Sequence, residues 1–147
     1  MKQYFLLLGC LVVFAANSQT FNFTYDHYSY IVEDVEKTGD FYTDILQLEE
    51  IPHPDRAPGF RWFRINGNTQ LHLIEKDTVI RTGSKSVHLC LAIDDLETFI
   101  KYLESRNIPF WDWPGEKGKV SLRSDGVRQI YLQDPEGNWV EINTAAH

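Results

Sequence analysis

The chain carries one pattern twice, and each copy puts a histidine at the same place. Asp26-His27-Tyr28-Ser29-Tyr30-Ile31-Val32-Glu33-Asp34-Val35-Glu36 aligns without a gap with Val87-His88-Leu89-Cys90-Leu91-Ala92-Ile93-Asp94-Asp95-Leu96-Glu97, at an offset of 61 residues (88 − 27). Gly59-Phe60-Arg61-Trp62-Phe63-Arg64-Ile65 aligns with Gly126-Val127-Arg128-Gln129-Ile130-Tyr131-Leu132. Each copy then makes a Gly-Asn turn (Gly67-Asn68, Gly137-Asn138) and ends in a short apolar run, centred on His72 in the first copy and Glu141 in the second. An internal repeat constrains the fold more than any local signal, because two copies of one unit must bury matching faces.

Local signals give each copy the order β-α-β-β-β. Tyr28–Val32 is rich in aromatic and β-branched residues and reads as a strand. Asp34 caps a helix in which Val35, Phe41, Tyr42, Ile45 and Leu46 recur with helical spacing. Residues 49–52 form a short edge strand, and 53–59 a Pro- and Gly-rich loop that leaves His53 solvated. Phe60–Ile65 and Thr69–Glu75 are a hairpin about Asn66-Gly67. In the second copy the spacing predicts strands over 86–93, 108–112, 127–132 and 139–143, with a helix over 96–106. Residues 77–85 are a polar link between the halves. The stretch 113–126, with Lys117, Lys119 and Arg123, is long enough for a functional loop and is expected to border a substrate pocket walled by Trp111 or Trp113.

Alternation along the strands sorts the side chains into two faces. His27, Ser29 and Ile31 oppose Tyr28, Tyr30 and Val32, and His88, Cys90 and Ala92 oppose Leu89, Leu91 and Ile93. Gln70, His72 and Ile74 oppose Leu71 and Leu73, while Trp139, Glu141 and Asn143 oppose Val140 and Ile142. In all four strands the imidazole or carboxylate lies on the less apolar face, and the bulky apolar face suits packing under a helix. His27, His72, His88 and Glu141 are therefore candidate ligands of one divalent ion, Zn, Ni, Co, Mn or Fe. A buried Glu141 without a cation would be costly. His53 and the terminal His147 do not share the pattern.

Residues 1–18 read as an export signal: a basic start at Lys2, an apolar run from Tyr4 to Phe14, and small residues before Gln19. The expected product is periplasmic or secreted, with lipidation at Cys10 the lesser alternative. The formal net charge of −7, made more negative by loss of Lys2, argues against nucleic acid and anionic membrane as partners. The partner expected is a small molecule. Cys90 alone survives cleavage and, amid Leu89, Leu91 and Ala92, reads as a buried small hydrophobe. Open sheet edges suggest a homodimer.

The residues together resemble the vicinal oxygen chelate superfamily, the glyoxalase, bleomycin-resistance and extradiol-dioxygenase group. The likeness rests on Asp26-His27, on the helix segment Gly39-Asp40-Phe41-Tyr42-Thr43-Asp44-Ile45-Leu46, on Ser86-Val87-His88, and on Asp134-Pro135-Glu136-Gly137-Asn138-Trp139-Val140-Glu141. It implies an α+β fold of two tandem βαβββ modules forming a cupped, barrel-like mixed sheet with helices on the outside. The single domain would span 24–144, with module one at 24–76 and module two at 86–144. It places the metal ligands at His27, His72, His88 and Glu141, in one chain or across a dimer. Four ligands imply a glyoxalase I- or epimerase-like lyase or isomerase acting through a metal-stabilised enediolate, with Glu141 as base. His72 stands where that branch has Glu or Gln, and Ile31 where it has a glutathione-gripping arginine, which points away from a housekeeping lactoylglutathione lyase. The alternatives are an Fe(II) ring-cleaving dioxygenase using His27, His88 and Glu141, and a non-catalytic binder of the bleomycin-resistance type.

Overall fold

The computed structural model describes residue 21 and residues 23–146. Residues 1–18, read as an export signal and including Cys10, and His147 lie outside the described residues. The first module runs β1 (His27–Val32), α1 (Val35–Asp44), β2 (Glu49–Ile51), β3 (Phe60–Asn66) and β4 (Thr69–Glu75). The second runs β5 (His88–Ala92), α2 (Leu96–Ser105), β6 (Ser121–Leu122), β7 (Arg128–Gln133) and β8 (Trp139–Asn143). Both helices start on an aspartate whose carboxylate accepts a backbone N–H three residues on, Asp34 from Lys37 and Asp95 from Thr98.

Each module folds into its own four-stranded mixed sheet, ordered β1-β4-β3-β2 and β5-β8-β7-β6. The first and last strands of each module pair in parallel (β1 with β4, β5 with β8), and the other neighbours pair antiparallel. The paired βαβββ modules are thus present as expected, cupped but not closed into a barrel within the chain.

Two local expectations are corrected. The strand expected at 108–112 shrinks to one bridging residue: Trp111 exchanges both backbone hydrogen bonds with Tyr131, at 2.8 and 2.9 Å. The chain turns away immediately, because the Asp112 carboxylate accepts the N–H groups of Gly115 and Glu116 and Pro114 cannot extend a ladder. The second strand of this module, β6, lies instead within the stretch read as loop. The repeat is also in a different register at its third strand. Trp62 pairs with His72 and Tyr131 with Glu141, an offset of 69 (131 − 62, and 141 − 72), not the 67 (126 − 59) of the sequence alignment. A two-residue slip keeps every side chain on its face, so alternation cannot reveal it.

The apolar faces of the two sheets share one core. Tyr30, Val32, Phe63, Leu71 and Leu73 from the first module join Leu89, Ile130, Leu132, Val140 and Ile142 from the second, with Val35, Phe41 and Tyr42 of α1 and Leu96, Ile100 and Leu103 of α2. Tyr30 crosses the junction. Its hydroxyl donates to the Trp139 carbonyl at 3.0 Å and accepts the Leu89 N–H at 2.9 Å, at the head of the β5–β8 ladder. Burial raises this phenol well above its ordinary value. Tyr42 crosses too, its hydroxyl donating to buried Asp134 at 3.2 Å. Since both apolar faces meet in this core, both polar faces turn away from it.

Tyr30→Phe removes the partner of two backbone groups and leaves the ring in place. Unsatisfied buried polar groups cost about 1–3 kcal/mol each, so urea unfolding should show a loss in that range with an unchanged slope. A loss under about 0.5 kcal/mol, within the scatter of ordinary surface substitutions, would mean that the hydroxyl does not join the modules.

Candidate metal centre

The polar face of each sheet carries a row of directly paired residues. Across the first run Ser29, His72, Trp62 and Ile51; across the second run Cys90, Glu141, Tyr131 and Trp111. His27 and His88 stand two residues before Ser29 and Cys90, on the same faces. The four candidate ligands therefore form two pairs, His27 with His72 and His88 with Glu141.

The first pair belongs to a stack of rings. His27 lies over His72 with centroids 4.2 Å apart and planes 17° from parallel, and His72 lies over Trp62 at 3.8 Å and 7°. His53 extends the row, its ring 4.7 Å from Trp62 and 4.8 Å from Phe60. It is half-buried, contrary to the expectation of a solvated loop residue, because β3 presents two aromatic rings to the loop that carries it. The His27 Nδ1–H donates to Asp26 at 2.5 Å, which leaves Nε2 free. The His72 Nε2–H donates to the Gln70 amide oxygen at 2.8 Å. Near-parallel rings direct their in-plane lone pairs side by side. In this arrangement His27 and His72 cannot both ligate one ion at the usual ~2.1 Å. The indole N–H of Trp62 is buried and finds no acceptor among the described residues.

The second pair is a prepared half-site. The His88 Nδ1–H donates to the Lys85 carbonyl at 2.7 Å. Its Nε2 therefore faces Glu141 Oε2, 3.1 Å away, with a lone pair. Two lone pairs at that separation need a proton or a cation between them. Two ligands of one ion, each bonded at ~2.1 Å, sit ~3–3.4 Å apart, so the spacing fits a metal. Glu141 is buried, at 5% exposure. Tyr131 donates to its Oε2 at 2.6 Å and Asn143 to its Oε1 at 2.8 Å. Burial and the Glu141 carboxylate raise the Tyr131 phenol above its ordinary value. Imidazole plus carboxylate, with the imidazole proton fixed on a backbone carbonyl, is the donor set of a borderline divalent metal.

Cys90 is exposed on this polar face and is not the buried hydrophobe expected from its neighbours. Leu89 and Leu91 adjoin it in sequence but point to the core. Asn143 donates to its sulfur at 3.1 Å, and partial burial and Glu141 push the thiol up to about 12. Arg123, ion-paired with Asp125 at 2.5 Å, is held above its ordinary value by Asp125 and further by Glu141. It is thus the cation of the 113–126 stretch that lies within electrostatic reach of the half-site. Trp113 adjoins as well, its ring 5.7 Å from Tyr131. Lys117 and Lys119 are exposed and make no side-chain contact there.

Among the described residues no three His, Cys, Asp or Glu side chains gather closely enough to hold a metal ion. The reason is architectural. Each pair sits on a sheet face turned from the shared core, and the two pairs do not gather into one cluster.

A family model described as the Glyoxalase/Bleomycin resistance protein/Dioxygenase superfamily matches residues 24–142. The chain belongs to that superfamily. Its similarity to named members is distant. It is 26% identical over 123 residues to a metallothiol transferase, FosB, of Staphylococcus saprophyticus, covering 81% of this chain and 75% of the relative. A glyoxalase family protein from Bacillus anthracis superposes with a TM-score of 0.71 at 22% identity, over 88% of this chain and all of that one. A lactoylglutathione lyase from Agrobacterium tumefaciens gives 0.63 at 21% identity, over 83% of this chain and 93% of that one. The superfamily holds lyases, transferases and oxidases that commonly use a divalent metal, bind small molecules and often form dimers. These likenesses establish the superfamily fold of this chain.

Sequence reasoning missed Tyr131, Trp62 and Asp26 as site residues. Asp26 was visible as the neighbour of His27. Tyr131 and Trp62 needed the hairpin register, which places each opposite Glu141 or His72.

Burial, and next the neighbouring His27, lower the His72 pKa below its ordinary value of 6.5. The unfolded chain then binds the proton more readily than the folded one. The stability contributed by neutral His72 is complete above pH 6.5 and is lost as pH falls towards the lowered value. Thermal melts of metal-free protein between pH 8 and 5 should show a drop that His72→Gln makes shallower. Identical slopes in the two proteins would assign the acid sensitivity to other groups.

Proposed function

We propose that this protein is a divalent-metal enzyme acting on a small molecule that chelates the metal through neighbouring oxygens. Its centre is formed by His88 and Glu141 of one chain with His27 of a second copy. The observation that carries this reading is the pairing itself: two half-sites in one chain, each with a histidine whose Nδ1 is anchored and whose Nε2 is free. Two imidazoles and one carboxylate leave open positions for a bidentate substrate. The metal, when bound, supplies a Lewis acid that stabilises negative charge developing on the substrate oxygens. Arg123 attracts an anionic group to that site and Trp113 walls it.

The three-ligand arrangement supports the oxygenase-like alternative over the four-ligand lyase or isomerase. A lyase site needs His72 to release Gln70 and turn out of its stack. It also needs Glu141 free to move a proton, yet Tyr131 and Asn143 hold both of its oxygens. The matched register of His72 and Glu141 keeps the lyase reading as the second one. Export to the periplasm or beyond is proposed on the strength of residues 1–18.

A complementation experiment tests the shared site. His27→Ala and Glu141→Ala chains, each alone, should bind no Fe(II) or Zn(II) stoichiometrically. Mixed and refolded together, their heterodimers should recover one intact site in two, since one chain's His27 meets the other's His88 and Glu141. A site contained within a single chain would recover none, and that outcome overturns the proposal. His72→Ala separates the two readings. Binding weakened less than about threefold supports three ligands, while loss equal to that of His27→Ala supports four.

A further inference from the structure

Lys85 ends the polar link and stands three residues before His88, on the turn in which the Val87 N–H donates to the Ser84 carbonyl at 3.0 Å. Its two ends do different things. The backbone carbonyl accepts the His88 Nδ1–H at 2.7 Å. The ammonium crosses to the excursion between Trp111 and Gly118, donating to the carbonyls of Asp112 at 2.7 Å and Trp113 at 3.2 Å. On the way it lies 5.2 Å from the centroid of the Tyr131 ring and 4.9 Å from that of Trp139. Tyr131 is the residue that donates to Glu141, and Trp113 packs on Tyr131.

Other anchors of the link 77–85 lie earlier in it. Arg81 pairs with Glu33 and Glu136, and the Gly83 carbonyl accepts the Trp139 indole N–H at 3.4 Å. The Ser84–Val87 turn is held to the body of the second module by the Lys85 ammonium. A backbone carbonyl can fix an imidazole tautomer only if the carbonyl is itself held in place. Bonds to two carbonyls and contact with two aromatic faces give that hold.

We propose that Lys85 is a positioning residue. Its ammonium clamps the turn to the Asp112–Trp113 carbonyls, and its own carbonyl thereby keeps His88 in the tautomer whose Nε2 faces Glu141. The same clamp ties the Trp113 wall to the orientation of His88, so displacement of Trp113 is felt at the ligand. The chemistry does not require the ammonium to touch substrate. The assignment rests on His88 being part of the site, and its first measurement is independent of metal.

The experiment compares wild type with Lys85→Met and Lys85→Arg. Nitrogen NMR of metal-free protein at pH 8 should place the wild-type His88 proton on Nδ1. Lys85→Met keeps an apolar stem over the two rings but offers no donor, and His88 should shift towards a mixture of tautomers. Zn(II) affinity, read by calorimetry on folded dimer, should fall about tenfold, as for loss of support behind a metal ligand. Lys85→Arg can donate to both carbonyls and stack on the rings, and should return both readouts to within about threefold of wild type. Unaltered His88 ring shifts in Lys85→Met overturn the proposal. Equal losses in Met and Arg variants overturn it too, because they assign the effect to packing. If wild type binds no Zn(II) but the ring shifts respond as stated, the positioning role stands and the metal reading fails.

Discussion

The arrangement depends on one shared apolar core behind two sheets. Each module offers a face of Val, Leu, Ile and aromatic residues that could not remain in water, and α1 and α2 are each too short to cover both sheets. Burying the two faces together is the solution, and Tyr30 fastens it by placing its hydroxyl at the head of the opposite module's ladder. The polar faces must then look outward. A reader of the strand pattern alone would draw four ligands around one ion. The core leaves two pairs that do not gather into one cluster among the described residues, which is why the proposed centre calls on a second copy of the chain.

Within each half-site the decisive quantity is the cost of burying Glu141. A carboxylate exposed at only 5% requires compensation. Tyr131 and Asn143 supply two neutral hydrogen bonds, which satisfy lone pairs without neutralising the charge. His88 supplies an imidazole whose Nδ1 is committed to the Lys85 carbonyl and whose Nε2 lies 3.1 Å from the carboxylate, so a proton or a metal ion must stand between the two. The Glu141 oxygens are satisfied in hydrogen bonds, and the positive charge beside them is left to the gap between carboxylate and imidazole. A proton in that gap makes an ordinary buried ion pair with His88 as the cation, and a metal ion makes the two side chains a ligand set.

The repeat made most of the fold legible. Strand alternation put His27, His72, His88 and Glu141 on the polar faces, and the bounds of β4 and β8 agree with the sequence pattern residue for residue. The failures share a physical cause. Alternation has a period of two, so it is blind to the two-residue slip that sets Tyr131, and not Gln129, in the row of Trp62. It also carries no information on what lies above a face. His53 packs against rings supplied by a strand seven or more residues away, and nothing in its Pro-rich surroundings announces them. Cys90 was misjudged by its sequence neighbours when its own face, shared with His88, gave the better guide.

The two rows show how duplicated units can diverge into complementary parts. Ser29-His72-Trp62 and Cys90-Glu141-Tyr131 occupy equivalent positions on equivalent strands. The second row acquired the buried anion and its donors. The first carries stacked rings that hold His72 in place and leave His27 at the outer end, 42% exposed in its side chain, with Nε2 facing no partner among the described residues. A row with two buried carboxylates would repel itself, and one with none would bind a metal weakly. Because the halves differ, a two-fold dimer that sets one copy's first row against the other's second row makes two identical centres, each with one anionic half and one imidazole half. The same copies arranged with like rows together would make one centre rich in charge and one without any. In the proposed dimer, the asymmetry between the repeats would favour the pairing in which both centres are usable.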